Sequence, residues 1–257
     1  MRLGAFIGPA VGGAAAEFLS YPVAFLGAGV ASALAAILVW AFTQNIPPDR
    51  SGQDPHLAQV QQIVSSHRRI LATAGFSALG IQLMRSGRQL FIPLFGAIAG
   101  LDAAIIGAIY SLSSALDMSL FYPAGLVMDR WGRKWMSVPS MALSAFALAL
   151  FPLVTGLYSL LGVALLLGLA NGFSSGLVMI MGADLAPRDL RGEFLGVWRM
   201  IGDLGWTGGP LLIGLLVETA SLTAAALAVA GIGFLGLGVL VLFVEETLQT
   251  SKAETDD

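Results

Sequence analysis

The 257-residue sequence has no cysteine, two lysines, two histidines and little charge of either sign. Without cysteine there is no disulfide and no thiolate metal site. Both histidines, His56 and His67, sit in one polar stretch, so no apolar segment carries an imidazole for acid–base or metal chemistry. Charged residues make up 11% of the chain, against roughly 25% in soluble domains. That shortage excludes a globular protein in water and leaves lipid as the natural solvent. A formal net charge of −3 gives no electrostatic footprint for nucleic acid. No Walker A sequence marks a nucleotide-driven energy module. Segments of about ten strictly alternating residues, the mark of a transmembrane barrel, are missing as well.

What remains is apolar: 56% of the residues, with 32 glycines besides. Apolar stretches fall at 3–17, 21–43, 70–98, 104–128, 135–154, 157–181, 194–217 and 221–244. Several are apolar nearly all round, as buried or lipid-facing helices must be. Eight helices of about 22 residues use roughly 176 residues and leave some 80 for loops and tails. The first stretch is short, and Gly8, Pro9, Gly12 and Gly13 interrupt it, which does not fit a signal peptide. The pattern predicts an all-α membrane protein with eight transmembrane helices.

The basic residues support that map. Arg85, Arg88 and Arg199 lie inside apolar stretches, and the other ten are Arg2, Arg50, Arg68, Arg69, Arg130, Arg133, Lys134, Arg188, Arg191 and Lys252. If eight spans alternate in direction, all ten fall on one side. The loops near 18–21, 99–103, 155–156 and 218–220 carry none. The positive-inside rule makes the basic side cytoplasmic, with both termini there. Glu17, Asp102 and Glu218 mark the other face. The polar segment Gln44–Arg69 holds Leu57, Val60, Ile63 and Val64 at helical spacing, which reads as a short amphipathic helix on the cytoplasmic interface. A disordered linker is the other reading of that segment. The acidic tail after Glu245 is expected to be solvated.

The chain repeats itself. Gly4-x-x-x-Gly8-Pro9 matches Gly205-x-x-x-Gly209-Pro210 at an offset of 201 residues, and Glu17 and Glu218 keep the same offset. Spans one and two therefore correspond to spans seven and eight in the same orientation, the parallel repeat of one class of secondary transporter. A six-helix repeat would give spans three to six counterparts ahead of Met1. The expectation is that the chain is the C-terminal two thirds of a twelve-helix protein.

Residues 125–134 read Gly-Leu-Val-Met-Asp-Arg-Trp-Gly-Arg-Lys. This resembles the G-x-x-x-D-R-x-G-R-K signature of the major facilitator superfamily, in its copy between helices eight and nine. Gly4, Gly8, Pro9, Gly12 and Gly13 resemble the end of the fifth-helix motif of that family's drug–proton antiporters, whose earlier glycine has no counterpart here. The loop 184–192, from Asp184 to Gly192, resembles the family's loop between helices ten and eleven. The resemblance covers essentially the whole chain as helices five to twelve. It implies residues 1–43 as the last two helices of one half and 44–69 as the central loop. Residues 70–244 are then a complete six-helix half, and 245–257 an acidic tail. It also implies a conformational latch of Gly125, Asp129, Arg130, Gly132, Arg133, Lys134 and Asp184. Arg133 is expected to reach Asp184, and Asp129 to lie at the N-terminus of the helix starting near Phe194.

Ionisable groups at membrane depth are costly and mark pathways or structural clamps. Gln82, Arg85, Arg88 and Gln89 share one helical face, and Asp117 is central in its span with Tyr110 on a neighbouring turn. A structural pair of Arg85 or Arg88 with Asp117 is one reading. A polar wall that meets substrate or proton is the other. Arg199 and Asp203 are either an i,i+4 ion pair or part of the same pathway, and Asn171 is an interhelical hydrogen-bond partner or a ligand group. Trp40 and Trp135 read as interface anchors.

Two further motif matches fail on context. Gly172-Phe173-Ser174-Ser175-Gly176 lies in an apolar helix rather than a nucleophile elbow. Gly231-Ile232-Gly233-Phe234-Leu235-Gly236 follows no strand. Both read as small-residue packing surfaces. The expected function is proton-coupled export of small molecules by alternating access. A sugar or organic-anion symporter is an alternative, and a non-transporting scaffold or fragment is another. No enzyme activity, cofactor or metal is expected. The expected partners are a small-molecule substrate, protons and the lipid bilayer, with no nucleic acid. A full-length carrier is expected to be monomeric and to sit in a cell membrane. Eleven arginines against two lysines suggest a bacterium.

Overall fold

The computed structural model describes residues 2–42 and 57–246. Among them there are ten α-helices and no strand. They are α1 (Arg2–Phe18), α2 (Tyr21–Phe42), α3 (Leu57–Ser66), α4 (Arg68–Ile98) and α5 (Ala103–Trp131). Then follow α6 (Lys134–Ala149) with a 3₁₀ turn at Phe151–Leu153, α7 (Leu157–Phe173), α8 (Leu177–Leu185), α9 (Arg191–Thr219) and α10 (Leu222–Phe243).

Six segments are long and apolar enough to cross a membrane: α2, α5, α6 with its 3₁₀ turn, α7 with α8, α9 and α10. The two other expected spans, α1 and α4, fall short for different reasons. α1 has only 17 residues. α4 has 31, about 46 Å at 1.5 Å per residue, but Gln82, Arg85, Arg88 and Gln89 dilute its apolar stretch. The low hydropathy of α4 comes from the same residues that give the bundle its chemistry.

α4 runs through the centre of the bundle, packed on α9 and α10 and touching α5 to α8. Its lower half builds an aromatic core in which Phe91 meets Phe151 at 5.6 Å and Phe95 stacks on Phe151 at 4.9 Å. Close helix approach comes from small residues, which replace the hydrophobic drive that lipid removes. A side chain at Gly168 would strike the backbone of Ser113, and one at Gly205 the carbonyl of Leu79. Gly233 faces Met84, and Gly236 faces Met141 at 3.0 Å, so two glycines of the dinucleotide-like match are packing seams.

The expected span 157–181 is not one helix. It breaks at Ser174–Gly176, where Gly176 takes φ +76°, a left-handed conformation that glycine adopts without strain. Broken helices at membrane depth survive only where other groups satisfy the freed backbone. The expected amphipathic helix is present as α3. Instead of lying apart, it buries Ile63 completely and packs on α9 and α4. Residues 44–56 of the central loop and 247–257 of the tail lie outside the described residues.

α2 has no buried residue and packs on α1. α1 in turn crosses α5 at a glycine contact. A Cβ on Gly13 would lie 2.6 Å from the Ala103 oxygen, and one on Gly107 would strike the Pro9 oxygen. By contrast, Gly4, Gly8 and Gly12 have nothing within 4 Å of such an atom. Gly13→Leu is therefore expected to cost about 1–3 kcal/mol by overpacking, read as a lowered melting temperature in detergent. The neighbouring Gly12→Leu should be nearly neutral. Equal effects of the two would disprove the seam.

Candidate functional site

The α4 face meets α5 and α7 near the helix break. Arg88 Nη2 donates to Ser113 Oγ at 3.0 Å and Ser114 Oγ at 3.2 Å, and the guanidinium lies 5.2 Å over the Tyr110 ring. Its Nη1 is 3.7 Å from Asp117 Oδ2. The Arg88 side chain is 7% exposed and that of Asp117 15%. Asp117 also accepts from Asn171 Nδ2 at 2.6 Å and from Ser175 Oγ at 3.4 Å. A cation, a carboxylate, an amide and three hydroxyls thus converge from α4, α5 and the end of α7. Of the two arginines weighed for the pair, Arg88 makes it.

Arg85 faces the break itself. Its Nη2 donates to the Ser174 carbonyl at 2.6 Å and Ser174 Oγ at 2.9 Å, and its Nη1 to Gln82 Oε1 at 2.9 Å. A carbonyl released where α7 ends is satisfied by a cation, as the negative end of a helix dipole favours. Ser174 therefore serves a guanidinium and is no nucleophile. Asn171 Oδ1 and Arg88 Nε are buried without a hydrogen-bond partner, which leaves polar capacity in the network.

Two clefts flank this network. One, of about 450 Å³, is lined by Gln82, Arg85, Trp198, Arg199 and Asp203 together with apolar groups of α8 and α9. The other, of about 750 Å³, lies between α1, α4 and α5 and includes Gly4, Gly8, Gln89 and Tyr110. Gln82 and Gln89, expected on one wall, thus open on different clefts. Arg199 and Asp203 form the i,i+4 pair at 3.6 Å, 77% and 59% exposed, so they border the first cleft without joining the buried cluster. Trp198 donates to the Val178 carbonyl at 2.8 Å and stacks on Phe194, tying α9 to α8.

At the signature turn, Arg133 Nε donates to Asp184 Oδ2 at 3.0 Å, bringing the α5–α6 turn to the end of α8. Its Nη1 donates to Asp129 Oδ1 and to the Met128 carbonyl, both at 2.8 Å. Burial opposes the Arg133 charge, but the hydrogen bonds and charges of Asp184 and Asp129 outweigh it and raise its pKa. The Arg133 cation is thus fixed in its ionised form. Asp129 is bonded to Arg133 and 68% exposed, rather than set at the start of α9. Arg130 is exposed, and Gly125 faces open space.

One residue of this end escapes a sequence reading. Glu246 accepts from the backbone N–H of Arg133 at 2.7 Å and of Lys134 at 3.0 Å, so the first tail residues are docked rather than solvated. Gly132, at φ +110°, leaves the space that the Glu246 carboxylate occupies. Lys134 Nζ reaches the Val241 carbonyl at 3.4 Å. A carboxylate at the N-terminus of α6 is favoured by the helix dipole. The acidic run at the chain end looked like tail composition, and only the close approach of α10 reveals this role.

The family model of the Major Facilitator Superfamily matches residues 1–122 and 76–257, in two overlapping segments. The chain belongs to this superfamily. It is 26% identical over 217 residues to the multidrug resistance protein MdtH of Yersinia pestis, covering 80% of this chain and 52% of that protein. It is 25% identical over 168 residues to the multi-drug resistance efflux pump PmrA of Streptococcus pneumoniae, covering 64% and 42%. With the MFS-type efflux transporter pyiT of Pyricularia grisea it shares 31% over 97 residues, 38% of this chain and 16% of that one. The chain thus spans about half or less of the length of these relatives. Family membership and the six apolar helices make it a multi-pass membrane protein of a transporter superfamily.

Proposed function

We propose that the chain forms two thirds of a secondary transporter that exports small molecules against a proton gradient by alternating access. The observation that carries this reading is the buried Arg88–Asp117–Asn171 network beside a broken helix and an open cleft. Discontinuous helices with ionisable groups at mid-membrane form the sites of such carriers. The names of the relatives, efflux and multidrug proteins, support outward transport of drug-like solutes. In this reading Asp117 exchanges the proton, and the cleft of Gln82, Arg85, Arg199 and Asp203 receives solute. Gln89 and Tyr110 line the second cleft.

Eight spans are part of the proposal, with α4 and α1 crossing beside the six apolar segments. α4 to α10 then make one six-helix half, and α1 and α2 the end of the other, in a cell membrane with both termini cytoplasmic. The repeat supports this arrangement. Gly205 and Gly209 pack on Leu79 and Ser86 of α4, whereas their counterparts Gly4 and Gly8 face open space. A helix equivalent to α4 would cover them. The Arg133–Asp184 bond is the latch that holds the cytoplasmic ends in one of two states.

The absence of cysteine makes a direct test available. Met179→Cys, in the cleft wall, is expected to react with a membrane-impermeant maleimide in vesicles, and a transported drug should protect it. Adding Arg133→Gln, which removes the latch, should change the rate from the cytoplasmic side by several-fold. A cysteine unreachable from either aqueous side would refute the cleft as a solute path.

A further inference from the structure

The solute cleft has a charge sign. Its ionised side chains are Arg85, Arg199 and Asp203, and the neighbouring Arg88 and Asp117 balance each other, so the region carries a net charge of +1. Arg85 forms the back wall, with its fork directed at Gln82 and Ser174. Arg199 stands at the mouth, with its side chain 77% exposed. Its Nε lies 3.6 Å from Asp203 Oδ2, beyond hydrogen-bond reach. The planar donor edge of Arg199 is therefore open to a ligand among the described residues, and such a fork matches a carboxylate in bidentate fashion. The remaining wall is apolar, made by Val178, Met179, Leu195 and Trp198.

We infer that this cleft selects amphipathic organic anions: a carboxylate held by Arg199 with Arg85 behind it, and an apolar or aromatic body against Met179 and Leu195. The inference rests on the cleft being the solute site, and it adds a substrate class to that reading. A neutral solute would leave the excess cation in a low-dielectric cleft uncompensated, whereas a carboxylate neutralises it. Asp203 acts as the competitor. It occupies part of the Arg199 field until a better-placed carboxylate replaces it.

The test uses the chain in phosphatidylcholine nanodiscs and three probes of one shape: radiolabelled 2-naphthoate, 2-naphthamide and 2-naphthylmethylammonium. Saturable binding is expected for 2-naphthoate, about tenfold or more tighter than for the other two. Arg199→Gln should remove that preference, and Asp203→Asn should strengthen naphthoate binding several-fold. Both residues are exposed, so both variants should melt like the parent chain. Equal binding of the three probes, preference for the ammonium, or naphthoate affinity unchanged in Arg199→Gln would overturn the inference while leaving the solute cleft standing. No saturable binding of any probe would overturn the cleft reading itself. Loss of naphthoate binding in nanodiscs containing phosphatidylglycerol would assign the site to a lipid headgroup and overturn it for a free solute.

Discussion

Asp117→Asn is expected to abolish proton-driven transport by the carrier while leaving it folded and inserted. The substitution keeps the shape of the side chain and an oxygen that can accept from Asn171 and Ser175, which now hold the carboxylate at 2.6 and 3.4 Å. It removes the only acidic oxygen pair that faces Arg88 across the 3.7 Å contact among the contacts described here. Arg88 keeps its serine hydroxyls and the Tyr110 face, so its charge stays solvated by fixed dipoles. The group that can take up and release a proton is gone. Transport assayed in vesicles with an imposed pH gradient should fall to the level of empty vesicles. An Asp117→Asn carrier with unchanged pH-dependent transport would give the pair a structural role only.

Arg88→Met has the opposite profile, with its main effect on stability. It leaves Asp117 ionised and 15% exposed with its cation removed. Breaking one side of a buried pair costs about 3–5 kcal/mol, enough to lower the melting temperature markedly or to prevent accumulation in the membrane. The double variant Arg88→Met, Asp117→Leu should recover most of that loss, because well-packed apolar groups replace buried ion pairs at little cost. It should not recover transport. Thermal unfolding of the single and double variants in detergent distinguishes these outcomes, and additive losses would show that the two residues do not interact.

Much of this architecture is legible in the sequence because membrane helices announce themselves by length and composition. The ends of α2, α5 and α10 fall within three residues of the apolar stretches that mark them. The signature turn is legible as well, since Arg133 and Asp184 belong to two motifs of one family. Less legible is whatever depends on close approach in three dimensions. Arg85 and Arg88 lie three residues apart on one face, and periodicity alone does not say which of them reaches Asp117. The break at Ser174–Gly176 hides inside a continuous apolar run because serine and glycine do not lower hydropathy much. Gln82 and Gln89 share a face of α4 yet border different clefts, since α4 is enclosed on several sides. Glu246 was concealed by its acidic neighbours, and its role appears only where α10 returns to the signature turn.

The central claim is that solute and proton movements are linked in one carrier through this site. Vesicles containing the carrier and a lumenal pH dye, without nucleotide, test it by imposing gradients of aromatic anions, neutral drugs and cations in turn. The account predicts that at least one solute gradient drives a proton flux in the opposite direction, and that Asp117→Asn eliminates this flux. Solute movement with no accompanying proton flux, or a proton flux that persists in Asp117→Asn, would contradict it.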